Sequence, residues 1–397
     1  MSRRVVVIGG GASGTAAAHA AREAGATVIV VIGRPGATSL GCGAVDGSRL
    51  ASLGALRPAI LSFLQALGAW ELTEDGCQLA TNAGLLRESR GRDRGLLDVG
   101  AFQNGTVGVV DASRPGWDAV GLARAWSAEP WAEAHGVRFE AVAVDVLRHA
   151  HETVAPDADL AAMHDDPGRI AWLLERLKKA PALENKCAVM LGPWLGTRTG
   201  VSARLSLELG KPVGEPISPP GGVAGLRFEM ARDELLARIG VTRASGWARR
   251  LTPGGPTAAP VRLELESGEA IEADAAVLAV GGLVAGGICF APHQPFALSL
   301  ACPAVLALGG VPLVTSGSPH GAPFEAFGWS GHRAPAGFER VGVWIGGEGG
   351  LRAPDGALRP GLFAAGDTVA DTPRTLLDAV RSGLIAGRNA ALGEGGT

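Results

Sequence analysis

Val5-Val6-Val7-Ile8-Gly9-Gly10-Gly11-Ala12-Ser13-Gly14-Thr15-Ala16-Ala17-Ala18 turns from a strand directly into a helix. Four β-branched residues predict a buried strand, and the alanine-rich run that follows keeps a helical composition to about Gly25. Between them lies the spacing Gly9-x-Gly11-x-x-Gly14, in which each glycine has a separate task. Gly9 permits the tight turn, Gly11 lets the backbone approach a pyrophosphate, and Gly14 lets helix and strand pack closely. Ala12 and Ser13 then open the helix, where unpaired N–H groups and the helix dipole favour an anion. A second apolar strand, Thr27 to Ile32, completes a βαβ unit. The pattern predicts a dinucleotide or flavin site; the alternative is a merely structural turn.

The rest of the composition narrows the function classes. A chain of 397 residues with 47% hydrophobic content can form two or three cored units. A formal net charge of −3 and the lack of any long Lys/Arg run argue against nucleic-acid binding and against an electrostatic membrane anchor. Cys42, Cys77, Cys187, Cys289 and Cys302 are scattered and never form CxxC, so no disulfide framework, zinc site or iron–sulfur cluster is indicated. A cytoplasmic location fits best. Ser2-Arg3-Arg4 before an apolar run has the look of a twin-arginine export signal, but cleavage there would delete the glycine motif. With no tyrosine, proton transfer falls to His, Asp, Glu, Arg or water.

After the second strand the chain reads Gly33-Arg34-Pro35-Gly36-Ala37-Thr38-Ser39-Leu40-Gly41-Cys42-Gly43-Ala44-Val45-Asp46. Ordinary dinucleotide folds end this strand on an acid that holds the ribose hydroxyls, whereas here Gly33 follows Ile32. The small-residue run suits close wrapping of a cofactor, with hydroxyls from Thr38 and Ser39 and backbone approach at Gly41 and Gly43; a flexible surface loop is the alternative. The cluster Arg87, Arg90, Arg92, Arg94, interrupted by Glu88 and Asp93, predicts a solvated hairpin. A new α/β rhythm starts at Thr106 to Val110, with a helix over Asp118 to Glu133 and another opened by Asp166-Pro167, an N-cap followed by proline. His149, His151 and the His164-Asp165-Asp166 cluster raise the thought of a metal, but no third ligand has a recognisable spacing.

Pro216 to Gly222 is a linker; then come a helix over Val223 to Ile239 and strands over Val241 to Arg249, Val261 to Glu266 and Ala270 to Val280. From Ala275 to Phe324 there is no charged residue, yet Gly281, Gly282, Gly286, Gly287 and Pro292 break the run before it spans about 30 Å of hydrocarbon. A buried strand and a cofactor- or partner-facing loop are expected instead. Near the end, Gly361 to Asp367 is a strand delivering an aspartate, and Thr375 to Ala391 a closing helix.

Gly9-x-Gly11-x-x-Gly14, Leu278-Ala279-Val280-Gly281-Gly282 and Leu362-Phe363-Ala364-Ala365-Gly366-Asp367 together resemble the two-domain flavoproteins that include fumarate reductase and succinate dehydrogenase. That resemblance implies an α/β architecture: a discontinuous Rossmann-like flavin-binding domain (1–100, 221–290 and 351–397), an inserted α/β domain for substrate or partner (101–220), and a second insert (291–350). It also implies that Gly366 and Asp367 reach the flavin, the carboxylate holding a ribityl hydroxyl. The backbone of Ser382, Gly383, Leu384 and Ile385 would meet the pyrimidine, and Ala248 would touch the adenine through its backbone. FAD is the expected cofactor because the βαβ unit calls for a pyrophosphate; the missing acid after Ile32 leaves FMN as the alternative.

Within that group the chain resembles the B subunits of anaerobic glycerol-3-phosphate dehydrogenases. The likeness lies in Gly33-Arg34, Leu40 to Asp46 including Ala44, Val107 to Asp111, His164 to Leu177, Cys187 to Gly196, and Ala276 to Gly287. It implies oxidation of glycerol 3-phosphate with electrons passed towards quinone, and companion subunits including an iron–sulfur one. Any membrane association would run through those partners. The C-terminal Thr368-Val369-Ala370-Asp371-Thr372-Pro373 departs from such proteins. A stand-alone enzyme of fumarate reductase or ketosteroid dehydrogenase type would need a cationic clamp, for which His320, His332 and Arg333 are the clustered candidates. A cofactor-empty scaffold is the remaining alternative.

Overall fold

Strand β1 (Arg4–Ile8) is covered on both faces, which is why its apolar run is unbroken. Val5 and Val7 pack with Ala17, Ala18, Ala386 and Ala390, whereas Val6 and Ile8 pack with Leu251, Leu263 and Ile271. The computed structural model describes residues 2–48, 50–254, 260–291, 294–298, 313–314, 341–353 and 355–394.

The chain divides into two compact units. The first comprises Met1–Thr38, Ala51–Phe63 and Arg232–Thr397; the second comprises Ser39–Leu50 and Leu64–Ala231. In the first, α1 (Ala12–Glu23) links β1 to β2 (Thr27–Ile32). Its sheet runs in the order Thr242–Ser245, β2, β1, Ala275–Leu278, Leu358–Ala364, Gly350–Arg352; the first five strands are parallel and the last antiparallel. A smaller antiparallel sheet, Ala248–Thr252, Val261–Leu265 and Ala270–Ala273, covers one face. The helix Leu376–Leu392 covers the other beside α1. These two helices meet at backbone distance, because a β-carbon on Gly383 would overlap the Ser13 carbonyl and one on Gly387 the Ala17 carbonyl.

The second unit has its own parallel sheet, Arg138–Ala143, Thr106–Asp111, Ala188–Met190, Val213–Gly214. Its core gathers Trp117, Trp126 and Trp194. An antiparallel sheet of Ala44–Val45, Leu86–Asp93 and Trp70–Ala80 belongs to the same unit. Bridges Thr81 to Ile217 and Leu96 to Glu215, with the cluster Cys77, Leu79, Leu96 and Ile217, explain why this segment divides from the first unit, although the sequence placed residues up to 100 with the glycine motif. On its hairpin Arg87 pairs with Asp46, Arg90 with Glu88 and Arg92 with Glu71, in line with the expected charged surface.

Two buried polar groupings hold this unit. Arg227, in the helix Val223–Arg238, donates Nε to Asp93 at 2.7 Å, Nη2 to Glu215 at 2.5 Å and Nη1 to Gly196 O at 2.9 Å. Burial pushes both carboxyl groups up while Arg227 opposes it. His164, 1% exposed, has Nδ1 2.8 Å from Trp194 O. Because a carbonyl only accepts, Nδ1 carries the hydrogen, and Nε2 is left buried without a partner among the described residues. Desolvation by burial lowers the imidazole pKa to about 4.

Element boundaries moved where single residues intervene. The helix expected over Asp118 to Glu133 is two, Ala119–Ser127 and Pro130–His135, because proline starts a helix readily and cannot continue one. The run Ala270 to Val280 splits at Asp274 between two different sheets, and Gly246, at φ +136°, separates Thr242–Ser245 from Ala248–Thr252. Asp166 does cap Pro167–Lys178, accepting from Arg169 N at 2.8 Å. Among the described residues no helix is long and apolar enough to cross a membrane.

Candidate functional site

Three glycine turns meet at the carboxyl ends of β1, Ala275–Leu278 and Leu358–Ala364, the edge at which open α/β sheets bind ligands. Gly9, at φ +117°, lies so close to Ala279 that a β-carbon would overlap its carbonyl; one on Gly14 would overlap the Gly9 carbonyl. Gly281, at φ +82°, donates its N–H to Thr368 Oγ1 at 3.0 Å. A β-carbon on Gly282 would stand 3.0 Å from the Asp367 carbonyl, and one on Gly366 would strike the Ser13 side chain.

Gly11 is different. Its φ of −76° suits any residue, and among the described residues a β-carbon there would meet only Thr38 Oγ1, at 3.3 Å. The protein's own packing does not ask for glycine at this position. Around it the helix N-terminus is incompletely bonded: Ala12 N–H donates to Thr38 Oγ1 at 3.0 Å, while the N–H groups of Gly11, Ser13 and Gly14 have no acceptor among the described residues. Ser13 is 7% exposed, and Gly14 is buried as well. Buried N–H groups without acceptors are costly, and a helix N-terminus built this way accepts an anion.

At the end of β2, Gly33 is closed in by Gly246 O at 2.9 Å and the Trp247 ring at 3.2 Å, measured from a β-carbon placed on it. Arg34 stacks over the Trp247 ring at 5.1 Å and donates to Ala285 O. The predicted adenosine end therefore presents a cation and an indole where other dinucleotide folds present a carboxylate.

Asp367 follows Leu358–Ala364 in a short 3-10 turn. Its carboxylate makes no hydrogen bond among the described residues, and its ion contact is with Arg374, Nη1 to Oδ1 at 4.0 Å. Arg374 is anchored on Val369 O at 2.9 Å and Val341 O at 3.0 Å. Burial pushes the Asp367 pKa up, with Arg374 opposing.

The remaining predicted site residues have these immediate surroundings. Ser39, Gly41, Gly43 and Ala44 belong to the second unit: Ser39 Oγ donates to Glu229 at 2.7 Å, Gly43 packs on Ala224, Leu96 and Asp93, and Ala44 pairs with Arg92 in a strand. Ala248 is a core residue whose backbone pairs with Leu265. Ser382, Gly383, Leu384 and Ile385 sit in the interior of Leu376–Leu392, so their N–H groups are engaged within the helix and not free to meet a pyrimidine ring. Ser382 Oγ instead accepts from Gly366 N at 2.8 Å, bracing the turn beside Asp367. The open N–H groups of that helix lie a turn and a half earlier, after its cap Thr375. His320, His332 and Arg333 lie outside the described residues. Sequence reasoning assigned no role to Trp247, which lay inside the expected strand Val241 to Arg249, or to Thr368, which it noted only as the start of a departure from the resembled proteins.

No protein-family model matches the chain, and no curated protein sequence does. Solved structures do resemble it. A 3-ketosteroid delta1-dehydrogenase from Sterolibacterium denitrificans is 12% identical, covering 98% of this chain and 99% of its own, with a TM-score of 0.43. A flavocytochrome c3 fumarate reductase is 12% identical over 99% of this chain and 78% of its own, at 0.40. A 3-ketosteroid-delta4-(5alpha)-dehydrogenase from Rhodococcus jostii RHA1 is 14% identical over 98% and 96%, at 0.38. At these identities and scores the likenesses do not decide the chemistry, which rests on the chain's own residues.

Proposed function

We propose that the first unit binds FAD through its pyrophosphate and that the protein is a flavin-dependent oxidoreductase. The observation that carries this is the buried N-terminus of α1, whose Ser13 and Gly14 N–H groups have no acceptor among the described residues and whose Gly11 is left open by those residues. Gly11, Ser13 and Gly14 would hold the pyrophosphate, Thr38 its flank, and Asp367 a hydroxyl of the chain leading to the flavin. Bound there, a flavin supplies hydride and electron transfer; the protein orients it and sets its electrostatic surroundings.

The sequence resemblance further supports a B-type subunit of a glycerol-3-phosphate dehydrogenase, passing electrons through companion subunits towards quinone. The absence of CxxC iron–sulfur ligands fits an arrangement in which another chain carries the clusters. The apolar stretch Phe296 to Val314 is the sequence's candidate for meeting a partner, and it lies largely outside the described residues.

Purified protein should show flavin absorbance, and heat release followed by chromatography should identify FAD. Gly11→Glu should lose the flavin, since its carboxylate would occupy and repel the anion position. Wild-type flavin content in that variant would overturn the assignment. Glycerol 3-phosphate should reduce the flavin in the presence of the companion subunits; failure with flavin bound would reject the substrate and leave the cofactor.

A further inference from the structure

The phosphate turn has a buried cation behind it. Arg232, in the helix Val223–Arg238, is 5% exposed and donates Nη1 to the Gly10 carbonyl at 3.1 Å and Nε to Asp233 at 2.8 Å. Asp233 in turn pairs with Arg243 at 2.8 Å, which fixes the carboxylate that orients Arg232.

The Gly10 carbonyl and the Gly11 N–H belong to one peptide unit. In a trans peptide they point in opposite directions, so a group that fixes the carbonyl also aims the N–H away from itself. Gly11 N–H has no acceptor among the described residues, and it begins the series continued by Ser13 and Gly14. A charge-assisted bond on the carbonyl polarises the peptide and strengthens its N–H as a donor.

We infer that Arg232 is a positioning residue for the dinucleotide phosphates: through the 10–11 peptide it aims and strengthens the Gly11 N–H without touching the ligand. This rests on the dinucleotide reading above. A purely structural arginine would have the same contacts, but its loss would loosen the site for every ligand alike. A residue acting through the peptide affects only ligands that carry phosphate.

The test titrates full-length apoprotein with FAD, ADP and riboflavin, comparing wild type with Arg232→Met and Arg232→Lys. Arg232→Met should weaken FAD and ADP by the same factor, roughly tenfold, the change expected when a hydrogen bond loses its charge assistance. Riboflavin affinity should stay as in wild type. Arg232→Lys, whose single ammonium cannot serve Gly10 and Asp233 in fork geometry, should fall between them and carries the test if the methionine variant does not fold. Unchanged FAD and ADP affinity, or equal losses for all three ligands, would overturn the inference while leaving the dinucleotide site intact. Wild-type protein that binds neither FAD nor ADP would remove both.

Discussion

Acidification should destabilise the second unit through His164. The imidazole is neutral in the folded state, with Nδ1–H donated to Trp194 O at 2.8 Å and Nε2 buried, so a second proton would have no acceptor among the described residues. Its pKa of about 4 lies below the ordinary 6.5. A depressed folded value means that the unfolded chain takes up the proton first, so stability is complete above pH 6.5 and is lost as pH falls towards 4. Two and a half pH units at 1.36 kcal/mol each give a ceiling of about 3 kcal/mol, and roughly 2 kcal/mol is gone by pH 5. Asp93 and Glu215 act in the opposite sense, since raised carboxyl pKa values favour the folded state at low pH and lose that contribution as pH rises. A difference measurement removes them. Urea unfolding followed by tryptophan fluorescence, from pH 7.5 to 4.5, should give wild type a steeper fall than His164→Asn, whose amide can still donate to Trp194 O. The two slopes should differ by approaching one proton between pH 6 and 4.5. Parallel curves would refute the buried neutral imidazole.

Asp367→Ala should weaken flavin retention about tenfold or more, as expected for losing a hydrogen bond to a charged acceptor. Because burial raises the Asp367 pKa, retention in wild type should decline on acidification at a higher pH than an exposed aspartate would give, and equilibrium dialysis across pH reads both effects. Trp247→Ala should weaken FAD but not FMN, which lacks the adenosine that Trp247 and Arg34 would face; equal losses in titration would place the adenosine elsewhere. Gly383→Val should cost about 1–3 kcal/mol of thermal or urea stability, since its side chain would overlap the Ser13 carbonyl. A wild-type unfolding midpoint would mean that the two helices can separate freely.

The legible part of this molecule was local. Val5 to Gly14 dictated a strand, a turn and a helix through neighbouring residues alone, and Asp166-Pro167 carried its cap within one turn. Gly366-Asp367 was recognisable because a strand must end where its apolar run meets a turn. What failed was partnership over distance. The apolar run at 270–280 gives no sign that Asp274 divides it between two sheets, since both halves are buried. The glycines at 41 and 43 look equally suited to a ligand and to packing, and Gly43 is in fact filled in by Ala224, Leu96 and Asp93. Arg232 was invisible for the same reason, as one basic residue in a helix rich in them, distinguished only by the carbonyl it reaches.

Strand β1 lies between β2 and Ala275–Leu278, and its covering helix ends at Leu392. At roughly 5–20 residues per second, a ribosome needs tens of seconds after making Val5 to Ile8 before it makes their second neighbour. Through that interval a βαβ fragment waits with one flank of an apolar strand unpaired, the kind of edge that recruits other strands. The second unit, Ser39–Leu50 and Leu64–Ala231, is synthesised before the last segment of the first and can complete its own sheet earlier. The nascent chain should therefore fold from its middle outward, and its early glycine-rich segment should be the part most dependent on chaperones.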